Sequence, residues 1–226
     1  MTQQETITRI RVAYTKEASL RFTGHLDMQR IWERLLRRSR LPIRYTQGFH
    51  PRARLNLASA LPLGFTSEAE LLDFWMDEPL PLDDIQSSLA EAAPPGLMVT
   101  RVHAVDLGED SLQSQMRASE FEVRFFDPQD QGELQKKVHQ LLGQEEIIRT
   151  RRKKTYDLRP LLLNLEAVRL PTREVGLWMR LLAEQGATGR PDEVLDALGY
   201  TSTETFVHRT QLILASPPSS ETQAQG

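Results

Sequence analysis

Residues 7–15, ITRIRVAYT, followed after Gly24 by residues 26–39, LDMQRIWERLLRRS, decide how the chain is read. The first stretch is rich in β-branched residues and alternates Ile7, Arg9 and Arg11 with short apolar positions, which predicts a strand. In the second, Met28, Ile31, Trp32, Leu35 and Leu36 recur at three- and four-residue spacing. An amphipathic helix therefore runs to about Ser39 and stops before Leu41-Pro42, with Thr23 or Asp27 suited to its N-terminus.

Outward from this pair, extended segments are expected at about 43–46, 54–60 and 69–77, a helix from Pro81 to about Ala92, and a strand over 97–106. The order then repeats. A strand over 119–127 (SEFEVRFFD) precedes a helix over 129–142 through Leu134, Val138, Leu141 and Leu142. Extended segments follow at 145–150, 163–170 and 174–183, then a short helix from Pro191 and a strand over 205–214. Two βαββαβ orders in tandem predict an α+β fold of tandem ferredoxin-like units with antiparallel sheets, residues 1–107 and 117–215, each with its helices on one face. Trp75-Met76-Asp77 and Trp178-Met179-Arg180 fall in matching places, as an internal duplication would put them. Residues 216–226 have no apolar face and are expected to form a disordered tail.

The 226 residues are 39% hydrophobic and 26% charged, a globular mixture that excludes collagenous and low-complexity chains. There is no cysteine, which excludes disulfides, thiolate zinc sites, cysteine nucleophiles and an iron–sulfur cluster held by this chain's own thiolates. No apolar run approaches the roughly 20 residues that span a bilayer. Met1 leads into Thr2, Gln3, Gln4 and Glu5, not into a basic and then apolar export signal, so a cytoplasmic location without membrane contact is expected. Charge is unevenly placed: residues 1–60 hold 12 Lys/Arg against 4 Asp/Glu, and residues 61–120 hold 2 against 12. Such a split predicts one basic surface for a polyanion and one acidic surface that avoids it, with mutual neutralisation as the alternative.

The basic half carries the candidate chemistry. Helical spacing puts Arg30, Arg34, Arg37 and Arg38 close to one polar stripe, and Arg40, Arg44, Arg52 and Arg54 adjoin it. With Tyr45 and Phe49 available for base stacking, this pattern predicts binding of RNA or another anionic substrate. A second reading makes His25, Asp27 and His50 an acid and base set, bordering one cleft with Arg52, for a metal-independent RNA-cleaving or RNA-modifying enzyme. A third is a protein-interaction subunit, for which the apolar run Ala60 to Phe65 is a candidate contact. Neither metal-ligand spacing nor a nucleotide-binding glycine loop is present, and Gly24, Gly48 and Gly64 stand one per turn. A basic stretch, Arg149, Arg151, Arg152, Lys153 and Lys154, stands apart in the second half.

Several of these segments form a signature: Phe22 to Asp27, Arg37-Arg38, Leu41-Pro42, Gly48 to Pro51, Ala60 to Gly64, then Ser67, Glu70 and Asp73. Asp157 to Pro160 and Arg190-Pro191 add shorter matches. The signature resembles that of the radical-SAM-linked family of bacterial proteins, whose members occur fused to, or encoded beside, a radical S-adenosylmethionine protein. The resemblance implies a stand-alone accessory component that binds no cofactor itself. The partner enzyme would carry the S-adenosylmethionine and the iron–sulfur cluster.

Overall fold

The computed structural model describes residues 6–215 except 152 and 202; the expected tail lies outside these, as does Arg152 of the basic stretch. The elements in chain order are β1 (Thr8–Lys16), α1 (His25–Arg38), β2 (Leu55–Leu57), β3 (Thr66–Met76), α2 (Leu82–Ala92), β4 (Leu97–Val105), α3 (Leu112–Gln115) and β5 (Met116–Phe125). They continue with α4 (Gln131–Leu142), β6 (Ile148–Arg151), β7 (Lys154–Asp157), β8 (Leu162–Arg169), β9 (Val175–Glu184), β10 (Ala187–Thr188), α5 (Pro191–Ala197) and β11 (Thr205–Leu214). The result is a mixed α+β protein with a mostly antiparallel sheet. None of the described helices is long and apolar enough to cross a membrane.

One nine-stranded sheet runs through both halves, in the order β10-β9-β5-β11-β3-β1-β4, with β2 beside β3 and β8 beside β9. The halves meet where β11 pairs parallel with β3, His208 opposite Thr66 and Arg209 opposite Ser67. β2 makes this possible. It covers only Leu72 to Phe74 of β3, so the beginning of that edge is open to a strand from the other half. A hydrogen bond of 2.7 Å between Thr66 Oγ1 and His208 Nδ1 closes the seam.

Each half has its own core. In the first, Ile10, Val12 and Tyr14 of β1 face Trp32, Leu35 and Leu36 of α1, with Tyr14 and Trp32 edge to face at 4.8 Å between ring centres. Gly24 stands at the N-terminal boundary of α1 and no side-chain hydrogen bond caps it; just before it, the carbonyl of Thr23 accepts from Lys16 Nζ at 2.9 Å, tying this turn to the end of β1. In the second core, Phe121, Val123, Leu177 and Met179 pack against Leu134, Val138 and Leu141 of α4. Leu61 and Phe65 join that second core from the first half. The apolar run Ala60 to Phe65 thus already has a partner, the other half of its own chain, although Leu63 remains exposed.

The alternation read in β1 is real, but its polar side is buried. Arg9 and Arg11 are 3% and 6% exposed, and both pair with Asp73, which is wholly buried on the neighbouring strand. Arg11 stands directly opposite Asp73 in the β1–β3 register. The arginine side chains also hold down the chain that follows β4, with Arg9 donating to the carbonyls of Glu109 and Asp110. Part of the charge split is therefore cancelled inside the protein.

Candidate functional site

The arginine stripe lies on the outer side of α1, because Met28, Trp32, Leu35 and Leu36 commit the opposite side to the core. Arg30, Arg34, Arg37 and Arg38 are all exposed, yet they are not equivalent. Arg30 pairs with Asp27 one turn away at 3.2 Å. Arg38 donates to the carbonyl of Ala92 at 2.9 Å, satisfying a backbone acceptor at the end of α2. Arg34 and Arg37 have no hydrogen-bonding or ionic partner among the described residues. Arg40 follows with a positive φ of 60°, turning the chain towards the next segment. Arg38 and Arg40 also line a cavity of about 530 Å³ beside the C-terminal end of α2.

That next segment is not the continuous strand expected over 43–46. Ile43 bridges to Met76, the chain swings out, and it returns at Ala53, which bridges to Tyr45. The excursion closes through Thr46 N–H donating to the Arg52 carbonyl at 2.8 Å and Arg52 N–H donating to Thr46 Oγ1 at 3.1 Å. Gly48 turns the tip with φ of 132°, a conformation that a side chain would strain. Phe49 beside it is fully exposed, and Tyr45, His50 and Arg52 are exposed as well. At the base, Arg54 lies 4.4 Å from the ring centre of Trp75, and Arg44 pairs with Asp77 at 2.7 Å. Of the acidic residues between 68 and 84, Asp77 reaches this cluster, while Glu70 and Asp73 pair with buried arginines.

His25 and Asp27 do not join this loop. Their segment is anchored at the start of β3, where Gly64 N–H donates to the Arg21 carbonyl and Arg21 donates back to the Gly64 carbonyl. The His50 loop is anchored at Trp75 and Met76, the far end of the same strand. At about 3.3 Å per residue those anchors stand roughly 30 Å apart. The expected cleft shared by His25, Asp27, His50 and Arg52 is therefore corrected: α1 and the length of β3 hold the two polar turns at opposite ends of the first half, and Asp27 serves Arg30.

Burial pushes Lys16 down to about 8, against the opposing pull of Glu70. Burial also holds the Tyr14 phenol well above its ordinary value and lowers the His103 imidazole. Among the described residues, no group of three or more His, Cys, Asp or Glu is arranged to hold a metal ion. What the sequence reading missed is Arg209, buried at the seam beside Arg151 and Arg190. Arg190-Pro191 and the basic stretch were visible in sequence, but the strand pairing that unites them was not.

Residues 9–191 match the family described as "Uncharacterized protein conserved in bacteria (DUF2344)". No curated protein matches the chain. Among solved structures, the chain is similar to one in "Crystal Structure of a Cbf5-Nop10-Gar1 Complex", with a TM-score of 0.46, 7% identity, and coverage of 92% of this chain and 48% of that one. It is similar also to one in "Crystal structure of the archaeal box H/ACA sRNP Nop10-Cbf5 complex", with a TM-score of 0.41, 8% identity, and coverage of 91% and 46%. A third is in "Structure of H/ACA RNP bound to a substrate RNA containing 2'-deoxyuridine", at a TM-score of 0.40, 8% identity, and coverage of 92% and 47%. The chain spans about half the length of these solved chains.

Proposed function

We propose that this chain, which belongs to the DUF2344 family of bacterial proteins, is an accessory binding module that holds RNA or another polyanionic substrate for a separate enzyme. The observation that carries this reading is the loop from Tyr45 to Ala53. It presents a fully exposed phenyl ring, Phe49, beside the exposed Arg52 and Arg54, downstream of the unpaired Arg34 and Arg37. A phenyl ring held wholly in solvent contributes nothing to the core, whereas single-stranded nucleic acid offers bases to the ring and phosphates to the guanidiniums.

The enzyme served, in this reading, is a radical-SAM protein. That partner rests on the signature from Phe22 to Asp73, and it would supply its own cluster and S-adenosylmethionine, since this chain has no cysteine. The fold is part of the same proposal: two ferredoxin-like units, residues 1–107 and 117–215. Support comes from the strand orders β2-β3-β1-β4 and β8-β9-β5-β11, each antiparallel at every step.

Binding of a fluorescein-labelled single-stranded RNA, followed by anisotropy, tests the reading. Wild-type protein should bind and an Arg34→Gln/Arg37→Gln/Arg52→Gln variant should bind at least tenfold more weakly with its fold unchanged. Equal affinity would remove this surface from the account. Binding of partner protein but of no RNA would favour the protein-interaction reading.

A further inference from the structure

We propose that the cavity at the seam between the halves is a phosphate-recognition site, taking the phosphoryl group of a nucleotide, either free or at the end of an RNA chain. The site is separate from the Phe49 loop and goes beyond the binding role proposed above. It has a volume of about 310 Å³, within the ~300–1,000 Å³ typical of small-molecule sites, so it has room for the group that bears the phosphate.

Three arginines from three elements line it: Arg151 of β6, Arg190 just before α5, and Arg209 of β11. Ser59, Ser119 and Thr188 add hydroxyls, and among the described residues no carboxylate belongs to the wall. Arg209 is the strongest indication. It is 2% exposed, its Nη1 donates to Glu70 at 2.8 Å and its Nη2 to the Ala60 carbonyl at 3.0 Å, but its buried Nε–H has no acceptor. An unsatisfied guanidinium N–H inside a protein is costly, and it marks the wall at Arg209 as short of acceptors and rich in positive charge, which favours an anionic ligand beside it.

The other two arginines are held in place by acids outside the wall. Arg190 makes two bonds to Asp192, and Arg151 approaches Glu193 at 3.6 Å. Neither pairing uses all five N–H donors of a guanidinium. A carboxylate ligand has two oxygens to share among three guanidiniums and three hydroxyls. A phosphoryl group offers three, arranged in three dimensions, and so fits the donor set better. Arg151 of the basic stretch and Arg190-Pro191 then have one purpose in common, since β6 and the turn before α5 bring them to the same opening.

The test uses the full chain with two pairs of probes, uridine 5′-monophosphate against uridine by calorimetry, and 5′-phosphorylated against 5′-hydroxyl oligouridylate by anisotropy. Phosphate-dependent binding of either pair is expected, weakened at least tenfold in Arg151→Gln and in Arg190→Gln. Both residues are partly exposed, so their loss leaves the Glu70–Arg209 pair and the fold in place, which circular dichroism checks. Monophosphate binding identifies a free nucleotide; binding of the phosphorylated oligonucleotide alone identifies a chain end. Indifference of both pairs to the phosphate, or wild-type affinity in both variants, would overturn the proposal.

Discussion

Glu70 on β3 and Arg209 on β11 form an ion pair of 2.8 Å, 5% and 2% exposed, at the one place where the two halves of the sheet run parallel. A pair this deep contributes through the penalty for separating it more than through net attraction. Glu70→Gln should therefore cost about 3–5 kcal/mol of unfolding free energy, because Arg209 would keep its charge without a counter-ion. Replacing both, as Glu70→Met with Arg209→Met, should recover much of that loss. Urea denaturation measures both, and a double variant as unstable as the single one would count against the pairing argument.

Asp73 is the second such test. It accepts from both Arg9 and Arg11, so Asp73→Asn removes the shared counter-ion of two buried cations and leaves Arg11 only the partly exposed Glu109. The expected loss is at least as large, again about 3–5 kcal/mol or more. Arg9 also ties down the carbonyls of Glu109 and Asp110. Faster amide exchange over residues 109–115 should accompany the loss, and unchanged protection there would show that the linker is held by other means.

Lys16 gives a pH dependence of definite sign. Its folded value of about 8 lies below the ordinary 10.5, so from pH 8 upwards the unfolded chain holds this proton more tightly than the native one. Stability should rise with pH through that window, and the burial penalty is fully present below it. Tyr14 opposes this above its ordinary 10, where the unfolded chain loses a phenolic proton that the native one retains. The rise should thus flatten near pH 10. Lys16→Met should abolish the rising limb, and parallel pH profiles for variant and wild type would contradict the assignment.

Phe49 and Arg52 should fail in different ways if the loop contacts RNA. Phe49→Ala removes a stacking contact worth about 1–3 kcal/mol per base and should weaken binding equally at low and high salt. Arg52→Gln removes a cation, so the slope of log affinity against log salt should fall by about 0.7. Identical salt slopes for the two variants would mean that the ring and the guanidinium do not divide the work in this manner.

Local order was legible in the sequence. The spacing of Trp32, Leu35 and Leu36 located α1 within a residue or so of His25–Arg38, and the run 205–214 is β11 as read. The three-dimensional pairings were not legible. Arg9 and Arg11 look like a solvated strand face because their neutralising partner, Asp73, is more than 60 residues away. The same distance problem hid the seam. Nothing local to Thr66 or His208 announces that their strands will lie side by side, and nothing in Ala60 to Phe65 tells a partner protein from the opposite half of the same chain. His25 and His50 erred in the other direction: two polar turns close in sequence were expected to meet, and α1, which runs between them, carried them apart.

The brevity of β2 has a bearing on how the protein is made. The beginning of β3 is completed by β11, and 139 residues separate Glu70 from Arg209. During synthesis the first half emerges with an unpaired strand edge and with Leu61 and Phe65 still lacking the core they enter. Such an edge is an invitation to pair with a neighbouring nascent chain. The N-terminal half therefore leaves the ribosome with an adhesive edge, and it is translation of the distant β11 that covers that edge with the chain's own second half.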